Sequence, residues 1–125
     1  MAVRVASMSL RVFFLVNLIL GILFWVGIAH RLVLLHMLVG ILFVASLWAV
    51  GVFQAMRGGS LGLTLGTFVL GLIIAIFGLA QESILPGSGH AVVQVIHLLL
   101  AVLGIGLGEM SAARYARLAK QAQAI

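Results

Sequence analysis

Four long stretches without a charged side chain most constrain what this chain can fold into. They cover residues 12–29, 32–55, 61–80 and 91–108, and almost all of their side chains are apolar. A helix needs about 20 mostly apolar residues to cross the roughly 30 Å of hydrocarbon in a bilayer. Because a backbone in lipid must form its hydrogen bonds within the segment, each stretch is expected to be helical. The sequence therefore predicts four transmembrane helices.

The scarcity of charge excludes several classes of protein. The 125 residues include seven basic and two acidic side chains and no cysteine, whereas a soluble domain has about 25% charged residues. Such a chain could not cover a water-facing surface, which excludes a soluble enzyme and, despite the net charge of +5, a nucleic-acid-binding protein. Disulfides and cysteine-ligated metals are also excluded. We predict one all-α integral membrane domain over residues 1–125, in contact with the lipid bilayer.

The connections between the stretches predict topology and orientation. Six basic residues lie before the first stretch, between the second and third, or after the fourth, and Arg31 alone lies on the other side. The positive-inside rule then places the N and C termini in the cytoplasm. Short connections make neighbouring helices antiparallel, which predicts an up-down-up-down four-helix bundle with the second and fourth helices on a diagonal. Residues 109–125 are predicted to form an amphipathic tail.

Four histidines fall in the predicted outer half of this bundle, at His30, His36, His90 and His97. Ionisable residues within a membrane are rare and are functional candidates by default. Helical rise places His36 about 6 Å and His97 about 10 Å below the outer boundary, on the two diagonal helices. We therefore predict that these two imidazoles face each other across the core and are the axial ligands of a single haem.

Residues near the two histidines suit the same hypothesis. Gly40 and Ala101 lie one turn farther in and would leave room for a flat macrocycle. Gln94 lies one turn outward of His97 and could accept the second imidazole N–H. Arg31 and His90, at the outer edge, could pair with haem propionates. His30 and His90 are equally explained as ordinary interfacial polar residues.

Two further polar residues carry expectations. Asn17, within the first stretch, is expected to hydrogen-bond another helix. Glu109, at the predicted cytoplasmic end of the fourth helix, is expected to form an interfacial salt bridge with Arg57 or Arg114 rather than to end a proton path.

The motifs Leu35-His36-Met37-Leu38 and Gln94-Val95-Ile96-His97-Leu98 give the chain a resemblance to known proteins. Its pattern resembles the four-helix b-type cytochromes of bacterial membranes, most closely one half of the haem A synthase bundle. That resemblance implies one haem b on His36 and His97, in a multi-pass protein of a bacterial or archaeal cytoplasmic membrane. The chain lacks the Glu-x-x-x-His motif and the loop cysteines of the synthase. The resemblance therefore implies haem binding and not haem A synthesis.

Three functional hypotheses follow. The first is a small b-type cytochrome, an electron-transfer protein rather than a stand-alone enzyme, that exchanges electrons with quinol or a redox partner. The second is a cofactor-free accessory subunit of a membrane complex. The third is a metal-ion carrier in which the four histidines bind the ion. The expected partners are other membrane subunits or further copies of the chain, with quinone added under the first hypothesis.

Overall fold

The computed structural model describes all 125 residues and contains four α-helices. They are α1 (Ala2–Trp25), α2 (Val33–Met56), α3 (Leu61–Ala80) and α4 (His90–Gln123), and short 3₁₀ turns lie at His30–Leu32, Gln81–Ser83 and Gly87–Gly89. Each helix is long and apolar enough to cross a membrane. The predicted all-α fold with four spans is confirmed.

The first and last helices differ from the predicted spans in their bounds. α1 begins at Ala2 rather than near residue 12, because a long arginine side chain can reach polar surroundings while the helix continues beneath it. It ends at Trp25 rather than near residue 29, since Gly27 and Ala29 adopt left-handed backbone conformations with φ of 82° and 65°. α4 continues without interruption from the predicted span through the predicted tail to Gln123.

The helices pack around a direct contact between α2 and α4. α1 and α3 lie on opposite sides of this pair, and each of them packs against both α2 and α4. We call the end of the bundle that holds connections 26–32 and 81–89 the histidine end. The end that holds both termini and connection 57–60 is called the terminal end. Because α2 and α4 touch, side chains from these two helices can meet inside the bundle.

The apolar core is small and lies midway along the bundle. It is formed by Leu10 of α1, Ile74 of α3 and three residues of α2 (Phe43, Val44 and Leu47). α4 approaches this core through glycine: a methyl group at Gly104 would lie 2.9 Å from Ile74 Cδ1. Most large apolar side chains point outward instead. An apolar outer surface of this kind is the one that contact with lipid requires.

A closed set of polar contacts joins α2 to α3 near the terminal end. Gln54 is fully buried, and its Nε2 donates to the Ser60 carbonyl and to Thr64 Oγ1, both at 2.6 Å. Its Oε1 accepts a hydrogen bond from the Ser60 backbone N–H at 2.9 Å. The Thr64 hydroxyl in turn donates to the Gly51 carbonyl at 3.0 Å. We call Gln54, Ser60 and Thr64 the Gln54 cluster; it pairs its buried polar atoms within the chain.

Candidate functional site

His36 and His97 meet inside the histidine end of the bundle. His36 lies in the first turn of α2 and His97 about two turns into α4. Their ring centroids are 6.2 Å apart, with 54° between the ring planes. Both residues are half-buried. The structure thus brings together the two histidines that the sequence selected by depth.

Each imidazole packs against a glycine and a phenylalanine of a neighbouring helix. The His36 ring lies edge-on to the Phe24 ring of α1, with 5.4 Å between the ring centroids. A methyl group at Gly21 of α1 would be 3.8 Å from His36 Cε1. The His97 ring stacks on the Phe77 ring of α3, with 6.1 Å between the ring centroids. A methyl group at Gly78 of α3 would be 3.0 Å from His97 Cε1. The α1–α2 and α3–α4 hairpins therefore each enclose one histidine.

These four packing residues were missed by sequence reasoning. Gly21, Phe24, Phe77 and Gly78 occur in stretches that are apolar on every side, so periodicity could not show which of them face a histidine. The available signal was the presence of a glycine and an aromatic residue in the same turn, at the depth of the histidines. That signal alone is common in membrane helices.

The Nδ1 atom of His97 is buried and has no hydrogen-bond partner. Buried polar atoms in proteins are nearly always paired, and an orphan of this kind calls for an explanation such as a ligand. Imidazole nitrogens are common metal ligands. The pair therefore has the donor chemistry of a metal or haem site.

The turn of α2 that carries His36 is held by Asn17 of α1. With its amide oriented to suit both partners, Asn17 donates to the His36 carbonyl at 3.0 Å and accepts from the Gly40 N–H at 2.9 Å. This confirms the predicted interhelical role of Asn17. Gly40 permits the contact, since a methyl group there would lie 3.2 Å from the Asn17 amide. Gly40, predicted to leave room for a macrocycle, thus provides room for the Asn17 amide.

The other predicted site residues surround the pair less closely. Arg31 is exposed in the first connection, and His30 is exposed and stacks on Phe24 at 6.3 Å. His90 opens α4 with its Nδ1 3.4 Å from the Ile84 carbonyl oxygen. Gln94 and Ala101 are half-buried on α4. Ala101 lies one turn beyond His97, beside the core, and the other four residues belong to the histidine end.

The histidines do not form a coordination group of three or more. Across the whole chain, no three side chains of histidine, cysteine, aspartate or glutamate come together as a metal site. An ion shared by two imidazoles lies about 2 Å from each nitrogen, and each nitrogen is about 1 Å from its ring centre, so the centres would be about 6 Å apart if both nitrogens pointed at the ion along one line. The observed 6.2 Å fits that arrangement. The remaining ligands would have to come from outside the chain, and a porphyrin brings four of its own.

Glu109 forms the predicted ion pair with a different partner. Nε and Nη2 of Arg11 donate to its two carboxylate oxygens at 2.6 and 2.8 Å. The prediction of Arg57 or Arg114 as the partner was wrong because α1 extends back through Arg11 and brings that side chain against α4. Arg57 lies instead over the ring of Tyr115, 5.0 Å from its centroid.

The structure and its apolar surface define a multi-pass membrane protein built as a four-helix bundle. Comparison with protein-family models, with curated proteins and with solved structures gave no match. The argument for function therefore depends on the histidine pair and its surroundings.

Proposed function

We propose that this chain is a small membrane b-type cytochrome that binds one haem b through His36 and His97. The observation that carries the proposal is the 6.2 Å separation of the two imidazole rings on the contacting helices α2 and α4. The unpaired Nδ1 of His97 adds support, because a structural histidine in lipid would be expected to have a partner. A pair without a third protein ligand suits a cofactor that would supply the remaining iron ligands itself.

When bound, the haem would supply a one-electron redox centre. The chain's own contribution is to hold two imidazoles at a fixed spacing in an apolar interior. Phe24 packs edge-on against the His36 ring, and Phe77 stacks on the His97 ring. Asn17 fixes the turn that carries His36. Such restraint of ligand orientation is how surrounding residues tune a metal centre.

The position of the pair near one end of the bundle suits exchange of electrons at one membrane face. Arg31 and His90 belong to that end and are the residues available for the propionates through charge-assisted hydrogen bonds. We propose quinol or a redox protein as the partner, in a bacterial or archaeal cytoplasmic membrane with both termini in the cytoplasm. The chain would act as an electron-transfer protein within a complex of membrane subunits or of its own copies.

The test is the absorption spectrum of the full chain, purified in detergent from cells that make haem. We expect a Soret band, an α-band in the reduced-minus-oxidised difference spectrum and one haem per chain. His36→Ala and His97→Ala should each abolish stoichiometric haem binding, because each removes one axial ligand. His30→Ala is the matched control, since it removes an exposed histidine at the same end of the bundle.

The competing hypotheses predict different results from the same preparations. A colourless, monodisperse wild-type protein would contradict the cytochrome proposal and favour an accessory subunit. A Soret band that survives both ligand substitutions unchanged would show that other residues hold the haem and would contradict the assignment of His36 and His97 as its ligands. Folding of each variant is checked by far-UV circular dichroism and size-exclusion chromatography, so that loss of haem is not confused with loss of the bundle.

A further inference from the structure

The terminal end of the bundle carries positive charge that the chain does not neutralise. The protein has two acidic side chains. The carboxylate of Glu109 is engaged by Arg11, and Glu82 lies in the connection at the opposite end. Arg114 and Arg117 of α4 consequently have no carboxylate partner. Neither guanidinium group forms an ion pair within the chain, so an anion of another molecule can pair with it.

The same two arginines line a groove between α3 and α4. Its volume is about 290 Å³, and its other walls are Leu63 of α3 with Met110 and Ala113 of α4. The Nε atom of Arg114 is buried and has no hydrogen-bond partner. The groove therefore joins two cationic side chains to an apolar surface, which favours an amphipathic anion over a simple one.

The depth of the groove agrees with the headgroup layer of a bilayer. Residues 91–108 of α4 cover about 27 Å of helix, close to the hydrocarbon thickness, so Glu109 lies at the boundary. Arg114 is then about 8 Å and Arg117 about 12 Å beyond it along the helix. The headgroup region extends roughly 5–8 Å from the hydrocarbon on each side. Arg114 is thus level with lipid phosphates, and the backbone of Arg117 lies about 4 Å beyond them, a distance that its long side chain can span.

We propose that this groove binds the headgroup of one anionic phospholipid, with Arg114 and Arg117 contacting the phosphate. Planar guanidinium groups match phosphate oxygens in two-point hydrogen bonds, and Arg114 and Arg117 both line the groove. Leu63 and Met110 would contact the adjoining glycerol and acyl carbons. This proposal concerns the terminal end and does not depend on haem binding.

Native mass spectrometry of the detergent-purified full chain tests it. Phosphatidylglycerol, phosphatidylcholine and inorganic phosphate are titrated separately. We expect one phosphatidylglycerol to bind in preference to phosphatidylcholine. Arg114→Gln combined with Arg117→Gln should weaken that binding roughly thirtyfold, from the contribution of two basic residues near anionic lipid. The matched control is Arg4→Gln combined with Lys120→Gln, which removes the same charge from exposed positions outside the groove.

Three outcomes would overturn the proposal. Equal binding of phosphatidylglycerol and phosphatidylcholine would show that the groove does not select an anion. An equal loss of affinity in the control pair would show that general surface charge, and not the groove, attracts the lipid. Inorganic phosphate that displaces phosphatidylglycerol at equal concentration would assign the site to free phosphate. Helical content of both double variants is checked by circular dichroism.

Discussion

Two groups of polar side chains lie inside this apolar bundle, and they differ in how completely they are paired. In the Gln54 cluster, the buried amide and the Thr64 hydroxyl bond to each other and to nearby backbone. In the histidine pair, His97 Nδ1 is buried with no partner. An unpaired polar atom in an apolar interior is costly, while a paired one is tolerated. The cluster is therefore explained by the fold, whereas His97 Nδ1, like Trp48 Nε1, has no partner within it.

The two groups also differ in the helices that they connect. The Gln54 cluster joins α2 to α3 across a short connection, so its contacts are local in the chain. The histidine pair joins α2 to α4, with each ring packed against a helix of its own hairpin. A ligand between the rings would tie the two hairpins together. The α2–α3 hairpin is thus held by its own hydrogen bonds near the terminal end, and a ligand at the histidine end would add a link between the two hairpins.

The largest effect on stability is expected from Gln54→Leu. The substitution removes three hydrogen bonds, each worth about 0.6 kcal/mol in membrane proteins, and leaves Ser60 and Thr64 underpaired, so we expect a loss of about 2.5 kcal/mol. The free energy of unfolding in mixed detergent micelles measures it. Gln94→Leu is the control, because Gln94 is half-buried near the histidine end and belongs to no such cluster. Equal losses in the two variants would remove the distinction between the paired and unpaired groups.

The next effect concerns the glycine that packs on His97. In Gly78→Ala the new methyl group would lie 3.0 Å from His97 Cε1, so the ring must move. We expect a loss of about 1.5 kcal/mol, as for modest overpacking, and a lower haem content under the proposed function. Gly106→Ala meets no atom within 4 Å and should be neutral or slightly stabilising. A Gly78→Ala variant as stable as Gly106→Ala would show that the histidine pocket is loosely packed.

Much of the fold could be predicted because apolar length alone determines where helices cross a membrane. The meeting of His36 and His97 was also predictable. Two residues at similar depth on diagonal helices come close together when both side chains point into the bundle. The roles of Gly21, Phe24 and Gly78 were not, because they depend on how α1 and α3 are rotated about their axes. Helices that are apolar all round carry no stripe that reveals this rotation.

The errors at the terminal end have a different cause. The charge of Arg11 predicts that the first helix begins after it, which would leave Arg11 out of contact with Glu109. The helix in fact continues through Arg11 because a flexible side chain can leave the hydrocarbon while its backbone does not. The position of a charged residue near a membrane boundary therefore indicates where the hydrocarbon ends more reliably than where the helix ends.

A smaller effect is expected from Asn17→Ala. The change removes the two hydrogen bonds to the His36 carbonyl and the Gly40 N–H, for a loss of about 1 kcal/mol. Because that turn carries a proposed haem ligand, the reduction potential should also shift. Ser46→Ala provides the comparison, since its hydroxyl donates only to Leu42 of its own helix, at 2.8 Å. A change in stability with an unchanged potential would mean that Asn17 holds the helices together without positioning the ligand.

The smallest effect is expected at the Arg11–Glu109 ion pair, which lies outside both buried groups. Its side chains are 57% and 41% exposed, and exposed pairs contribute about 0.2–1 kcal/mol. A double-mutant cycle of Arg11→Gln and Glu109→Gln should therefore give a coupling energy of about 0.5 kcal/mol, reduced at high salt by screening. Haem content should not change, because the pair is at the terminal end. A coupling well above 1 kcal/mol that resists salt would mean that lipid covers this pair. The Arg11–Glu109 pair would then resemble the buried Gln54 cluster, as a contact that the fold requires.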